Sequence, residues 1–419
     1  MRKRGNIFQN IDWFMILLYF MLVFVGWINI YAAVYNDEHQ SILDMSQNYG
    51  KQMIWILTSV LLIFVIFLIE AKFYTTFSYP IYFTMIVVLI AVLLVGKEIA
   101  GSRSWFQIGG FSIQPAEFAK FATALALAKY LSRIDIDIVK LKTKLIAGFF
   151  IFLPATLILL QHDTGSAMVF VAFALVLFRE GLSGSLLVLG LVLAVLFILA
   201  LLINKFILIA VLVVLVALVY YFNKGLRKRY MIIIGLFLMA TAYIFSVDFA
   251  FENILEPHQK NRVEVLIGKK TDIHGAGYNV HQSKIAIGSG GFNGKGFLKG
   301  TQTKFDFVPE QSTDFIFCTI GEEWGFVGTF VLILLFVTLL IRLIILAERQ
   351  RSKFSRIYGY GVASIIFFHF AVNIGMTIGL FPVIGIPLPF ISYGGSSLWA
   401  FTILLFIFIK LDSVRMDLL

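Results

Sequence analysis

Apolar residues run along this chain in stretches of about 17–25 positions, the length of helix that crosses a hydrocarbon core. They fall at roughly 11–35, 52–70, 78–96, 116–132, 144–161, 165–178, 183–203, 206–222, 231–247, 315–341, 357–380 and 393–410. The pattern predicts about twelve helices, although 165–178 is short and 183–247 can be divided in more than one way. The fold expected is an all-α integral membrane protein, a polytopic helical bundle. The first run exceeds the apolar core of a cleavable leader and ends near Tyr31 to Tyr35 without a small-residue cleavage site, so it is expected to stay. One stretch breaks the pattern. Residues 261–317 are polar and crowded with Gly, Lys and carboxylates, and loops of such length are kept mainly where they have a function.

Composition agrees: 60% of residues are hydrophobic and 14% charged, far from a soluble domain. The cations give an orientation. Arg2, Lys3 and Arg4 precede the first helix, and Arg133, Lys140, Lys142 and Lys144, then Lys224, Arg227, Lys228 and Arg229, then Arg349, Arg351, Lys353 and Arg356 fall between helices on the same side. Short loops rich in Lys and Arg stay in the cytoplasm, while long loops cross largely regardless of charge. Both termini are therefore expected inside and the long loop outside. The net charge of +10 is a topology signal and gives no reason to invoke nucleic acid. The lone cysteine, Cys318, excludes an intrachain disulfide.

With that topology four polar clusters share the outer side. In GSRSWFQIGGFSIQPAEFAK, 101–120, Pro115 suits the first turn of a helix, and Glu117 and Lys120 then share one face at membrane depth. Such a pair either lines a cavity or is a mutual salt bridge orienting the helix end. Gln161, His162 and Asp163 form a tight turn in which Asp163 suits an ordinary N-cap. In PVIGIPLPFISYGGSS, 382–397, three prolines within eight residues break the helix, and broken backbone at that depth must be buried in protein or face a water-filled cavity. The fourth cluster is the long loop. Its GSGGFNGKG run is not a phosphate-binding P-loop, because Ser289 and Gly296 stand where Gly and Ser or Thr are required. It reads instead as a flexible basic loop, Lys295 included, able to cover an anionic substrate. The loop ends at Asp314, where a spanning helix begins, and a helix cap is the plainer role for that carboxylate. His258, His274 and His281 match no familiar metal spacing.

Isolated carboxylates, several cations and a cavity among lipid-facing helices suit transfer from a phosphate-bearing lipid, with one carboxylate as general base. They suit a lipid transporter nearly as well. A third reading is a scaffold that positions another enzyme.

The residues also carry a resemblance. WFQIGGFSIQPAEFAK, GAGYNVHQSKIAIGSGGFNGKGFLKGTQTKFDFVPEQSTDFIF and NIGMTIGLFPVIGIPLPFISYGGSS, in that order through nearly the whole chain, closely resemble the SEDS family of shape, elongation, division and sporulation proteins. The IGSGG, GKG and GTQ run resembles the elongation branch more than the division branch. The resemblance implies a bacterial inner-membrane enzyme that polymerises peptidoglycan glycan strands from lipid II beside a class B penicillin-binding protein within the elongation machinery. A lipid II flippase, or the division polymerase of the same family, is the alternative.

By resemblance Asp314 is the essential acid, as general base or as ligand of a divalent cation, Mg or Mn; no organic cofactor is implied. Glu117, Lys120, Asp163, Trp105, Ser392, Tyr393, Gly394 and Gly395 match the family's other polar motifs and are expected to line the cavity. Arg103 departs, lying two residues before Trp105 where the family more often has Arg immediately before it. His162, Ala116 and Asn279 replace the family's Pro, Ser and Gln. A single polytopic domain, 1–419, is expected, with its large loop at 248–314. The stretch 204–247 reads as two helices beyond the usual ten. The implied chemistry is inverting: Asp314 activates the acceptor GlcNAc 4-hydroxyl for attack on the donor MurNAc anomeric carbon, and Lys120, loop cations or a metal offset the charge of the leaving undecaprenyl pyrophosphate.

Overall fold

A computed structural model describes residues 10–35, 41, 42, 44–99, 101–109, 111–222, 230–253, 260, 276–304 and 307–416. Arg2, Lys3, Arg4, Arg227, Lys228, Arg229, His258 and His274 lie outside the described residues. The chain opens with α1 (Trp13–Val34), α2 (Asn48–Leu68), short α3 (Ala71–Thr76) and α4 (Ser78–Val95). A small antiparallel sheet follows, β1 (Lys97–Ile99), β2 (Ser102–Ile108) and β3 (Phe111–Ile113), with Phe106 opposite Ile113. Then come α5 (Pro115–Leu131), α6 (Leu141–Leu160), α7 (Thr164–Met168), a 3₁₀ turn at Val169–Ala172, and α8 (Phe173–Arg179). The remainder is α9 (Gly184–Leu202), α10 (Lys205–Phe222), α11 (Tyr230–Asn253), α12 (Ala276–Ser289), α13 (Thr301–Lys304), α14 (Ile316–Glu348), α15 (Lys353–Thr377) and α16 (Gly395–Ser413).

Nine helices among the described residues are long and apolar enough to cross a membrane. Shorter apolar helices occupy two of the other expected stretches, Thr164–Arg179 and Leu187–Leu202, and the 17-residue α5, with its charged residues, occupies the third. The protein is thus a multi-pass helical membrane protein. It packs as two compact units, residues 1–182 with 279–419, and residues 183–278. In the second unit α9, α10 and α11 pack on one another, and Lys205 Nζ reaches Asp248 Oδ2 at 2.7 Å.

The first unit is built around α5. Its sequence, PAEFAKFATALALAKYL, places alanines on every side, and Ala116, Ala119, Ala122, Ala124, Ala126 and Ala128 are all buried. Small residues let helix backbones approach closely where lipid gives no hydrophobic drive to association. Helices α4, α6, α15 and α16 accordingly surround it. Buried polar tips fasten the bundle: Tyr358 Oη donates to the Leu404 carbonyl at 3.0 Å, and Lys410 Nζ to the Phe67 carbonyl at 2.7 Å. At one end Asp12 caps α1 and pairs with Arg342 at 2.5 Å, while Arg349 and Gln350 hold Asp412.

The polar loop departs from expectation. Helix α11 continues to Asn253, beyond the boundary placed at 248, and the described part of the supposed flexible loop is ordered. Ser283 and Ala286, three apart, give α12 a buried edge, and Ser283 Oγ donates to the Thr377 carbonyl at 2.9 Å. A second departure lies in α14, which breaks at Gly325 (φ 63°, ψ −155°). Residues 291–296 fill the break: Lys295 N–H donates to the Glu322 carbonyl and Gly296 N–H to that of Glu323, both at 3.0 Å. In return Phe326 N–H donates to the Gly291 carbonyl at 2.9 Å and Val327 N–H to that of Phe292 at 3.1 Å. Backbone groups freed by a broken spanning helix must find partners inside the protein, and this loop supplies them.

Candidate active site

Between α15 and α16 the chain crosses without regular structure. Pro387 and Pro389 offer no N–H, and Gly379, Gly385 and even Phe390 (φ 66°) take positive φ. For a bulky residue that conformation is strained. Phe390 is held in it by edge-on contacts with Tyr19 and Phe401, ring centroids 5.2 and 5.9 Å away. Strained, over-determined backbone of this kind concentrates at functional sites.

The other three polar clusters all meet this segment, itself one of the four. From the loop cluster, the Ser312 carbonyl accepts Tyr393 N–H at 2.9 Å and the Thr313 carbonyl accepts Ser392 Oγ at 2.6 Å. From the first cluster, Gln114 N–H donates to Ser396 Oγ at 3.0 Å. From the second, Gly165 presses so close to Ile384 that a Cβ there would overlap the Ile384 carbonyl oxygen. The clusters also bond one another: Asp163 Oδ1 caps α7 by accepting Ser166 N–H at 3.0 Å, while Oδ2 accepts Gln114 Nε2 at 2.7 Å. Arg103 N–H donates to the Gln161 carbonyl at 3.0 Å.

Asp314, half-buried, precedes α14. Its carbonyl accepts Asn373 Nδ2 at 2.8 Å, and its carboxylate lies against Gly385, where an added Cβ would stand 3.3 Å from Oδ2. Glu117 and Lys120 are fully enclosed, side chains 2% exposed, with Nζ 2.6 Å from Oε1. The ammonium also meets His369 Nε2 at 2.9 Å and the Phe401 ring, 5.3 Å to its centroid. The second carboxylate oxygen of Glu117 is buried with no protein partner among the described residues. Lys120 is thus enclosed by the protein, which corrects the expectation that it lines an open cavity. Its carboxylate partner and the neighbouring α15 fill the space around it.

Lys295 is also corrected. Rather than awaiting substrate, its Nζ bonds Glu322 Oε1 and Thr301 Oγ1, both at 2.6 Å. Buried Glu322 further accepts the N–H groups of Thr301, Gln302 and Thr303 at 2.8–2.9 Å, so it ties the loop to α14. Ser392 is saturated, taking Leu388 N–H at 2.8 Å while donating to Thr313. Gly394 N–H meets Gln52 Oε1 at 3.2 Å, and a Cβ on Gly395 would press on Trp55. The SYGG run is therefore a fastener between helices. Trp105, half-buried, pairs with Lys97 across β1 and β2. Arg103 and His281 are exposed, as is Lys284, which stands over Gly379.

The sequence reading missed Glu322, His369 and Asn373. All are polar residues inside spanning helices, a signal that by itself marks functional candidates. Among the described residues no three His, Cys, Asp or Glu side chains gather into a metal site.

The profile of the cell cycle protein family of FtsW, RodA and SpoVE matches residues 12–211 and 188–416. The chain is 32% identical to the peptidoglycan glycosyltransferase RodA of Treponema pallidum, over 95% of this chain and 96% of that one. It is 34% identical to the peptidoglycan glycosyltransferase MrdB of Escherichia coli K12, over 90% and 88%. Among solved structures it is similar to one described as "Structural coordination of polymerization and crosslinking by a peptidoglycan synthase complex", with TM-score 0.70 and 26% identity, covering 98% of this chain and 100% of that one.

Proposed function

The chain belongs to the cell cycle protein family of FtsW, RodA and SpoVE, and on that premise we propose that this peptidoglycan glycosyltransferase polymerises glycan strands from lipid II during cell elongation with Asp314 as its base. The observation that carries the reading is the convergence of three sequence-distant polar clusters on a fourth, the broken segment 382–397, with the Asp314 carboxylate set against Gly385.

Asp314 takes the proton of the acceptor GlcNAc 4-hydroxyl as its oxygen bonds the MurNAc anomeric carbon of the donor. The bond from that carbon to undecaprenyl pyrophosphate breaks on the opposite face. An α-linked donor gives a β-1,4 link by one inversion, so no enzyme-bound sugar forms. Arg103 and Lys284 are exposed, and a cation in that state is what would offset the charge of the departing pyrophosphate. Enclosed Lys120 orders the site instead. One carboxylate alone does not make a metal site; a divalent cation at Asp314 would supply charge to offset the departing pyrophosphate.

The site lies at the opposite ends of α1, α14 and α16 from the Asp12, Arg342, Arg349 and Asp412 network. With the cation-rich loops in the cytoplasm, the active face is periplasmic and the partner is a class B penicillin-binding protein that crosslinks the strands. The test uses purified lipid II, the chain, and a partner unable to polymerise. Long glycan ladders from the wild type and none from Asp314→Asn are expected; ladders of normal length from Asp314→Asn remove Asp314 from the mechanism.

A further inference from the structure

Two polar side chains on α15 take no part in the chemistry above, yet they reach the backbone of Asp314, the broken segment and Lys120. His369 and Asn373 are fully buried and, four residues apart, lie on one helix face. Each grips one of two consecutive carbonyls in the broken segment. Asn373 Nδ2 donates to the Ile386 carbonyl at 2.7 Å, and His369 Nδ1 meets the Pro387 carbonyl at 3.0 Å. Each then reaches a second partner. Asn373 Nδ2 also donates to the Asp314 carbonyl at 2.8 Å, and His369 Nε2 meets Lys120 Nζ at 2.9 Å.

Hydrogen-bond roles are fixed by the partners. A carbonyl only accepts, so His369 carries its proton on Nδ1 and offers the Nε2 lone pair to the Lys120 ammonium. The imidazole is therefore neutral, since a proton on Nε2 would set two cations against each other. The Asn373 amide spends its nitrogen on two carbonyls, and its Oδ1 is buried without a protein partner among the described residues. Turning the amide over would face that oxygen to both carbonyls, which the contacts forbid.

We propose that His369 and Asn373 are positioning residues for the transfer: a two-point clamp on the Ile386–Pro387 backbone that sets the Asp314 carboxylate against Gly385 and locks this register to the buried Glu117–Lys120 pair. The inference rests on Asp314 being the base. Neither clamp residue touches substrate. Both act through the backbone next to the reacting carboxylate, where a shift on the order of 1 Å costs up to about a hundredfold in rate.

The full chain with its crosslinking partner is assayed for turnover of purified lipid II, and the unfolding temperature of each variant is followed in parallel. His369→Leu removes both histidine bonds. Its kcat is expected to fall about tenfold or more, with KM for lipid II little changed. His369→Gln, whose amide both donates and accepts, recovers most of the rate. Asn373→Asp keeps the shape and loses the donors, with the same fall in kcat; Asn373→Ser keeps one donor and falls between. If Asn373→Asp is not recovered folded, the histidine variants and Asn373→Ser decide. Wild-type kcat in His369→Leu or Asn373→Ser overturns the clamp. So does a loss of activity that tracks the unfolding temperature and that Gln does not restore. Asp314→Asn, run alongside, separates the two ideas: if it is active the base assignment fails, and if it is dead while the clamp variants run at wild-type rate only the clamp fails.

Discussion

Asp314 and Gly385 are packed so closely that one methyl group on Gly385 would stand 3.3 Å from the Asp314 carboxylate. Gly385 also holds φ at 69°, where a Cβ costs roughly 1–2 kcal/mol. Two penalties, one of backbone and one of space, thus fall on the same atom.

Gly385→Ala should therefore insert and fold with a modestly lower unfolding temperature and yet lose most lipid II turnover. Calorimetry or fluorescence unfolding beside the ladder assay checks this. Turnover equal to wild type would show that the space in front of the carboxylate is not used.

Removing one member of the Glu117–Lys120 pair leaves a buried charge without its partner, at a cost of about 3–5 kcal/mol. Glu117→Gln and Lys120→Met are each expected to lower the unfolding temperature sharply. The double variant should lose less than the sum of the two, because neither charge remains. A double-mutant cycle in thermal unfolding measures the difference.

Glu322 collects three backbone N–H groups and the Lys295 ammonium in one buried carboxylate. Glu322→Gln keeps the size, loses the charge and presents an amide N–H to groups that are donors themselves. Residues 295–304 should then become the first site of limited proteolysis, while the helices remain intact. Unchanged cleavage would mean that backbone bonds alone hold the loop.

Asp163 satisfies an orphan N–H at the start of α7 and holds Gln114 at the start of α5. Asp163→Asn retains the capping oxygen but turns a donor toward Gln114; Asp163→Ala loses both bonds. The expected order of unfolding temperature is wild type, then Asn, then Ala, with the Ala variant down by about 0.5–2 kcal/mol from the cap alone.

The spans were legible because crossing a membrane demands a long apolar run, and such a run announces itself without any tertiary knowledge. Asp314, Glu117 and Asp163 were legible as carboxylates set where hydrocarbon begins. The Glu117–Lys120 pair, three residues apart, was legible too; what sequence could not show was pairing across long separations. Lys295 read as a loop cation because its carboxylate lies 27 residues on, inside a helix. His369 passed unremarked because its partner, Lys120, is 249 positions away. The break at Gly325 was hidden by the apolar residues around it, since a single Gly within a helical pattern is ordinarily tolerated. The small sheet at 97–113 was missed because β1 and β3 are only three residues each and the seven of β2, SRSWFQI, do not alternate apolar with polar.

At that break the loop residues 291–296 stand in for the missing helical partners of Glu322, Glu323, Phe326 and Val327. Lifting the loop away would strand donors and acceptors on both sides at once. The segment from Ile316 to Trp324, with Asp314 just ahead of it, is thus held at its far end by the loop backbone as well as by its own helix.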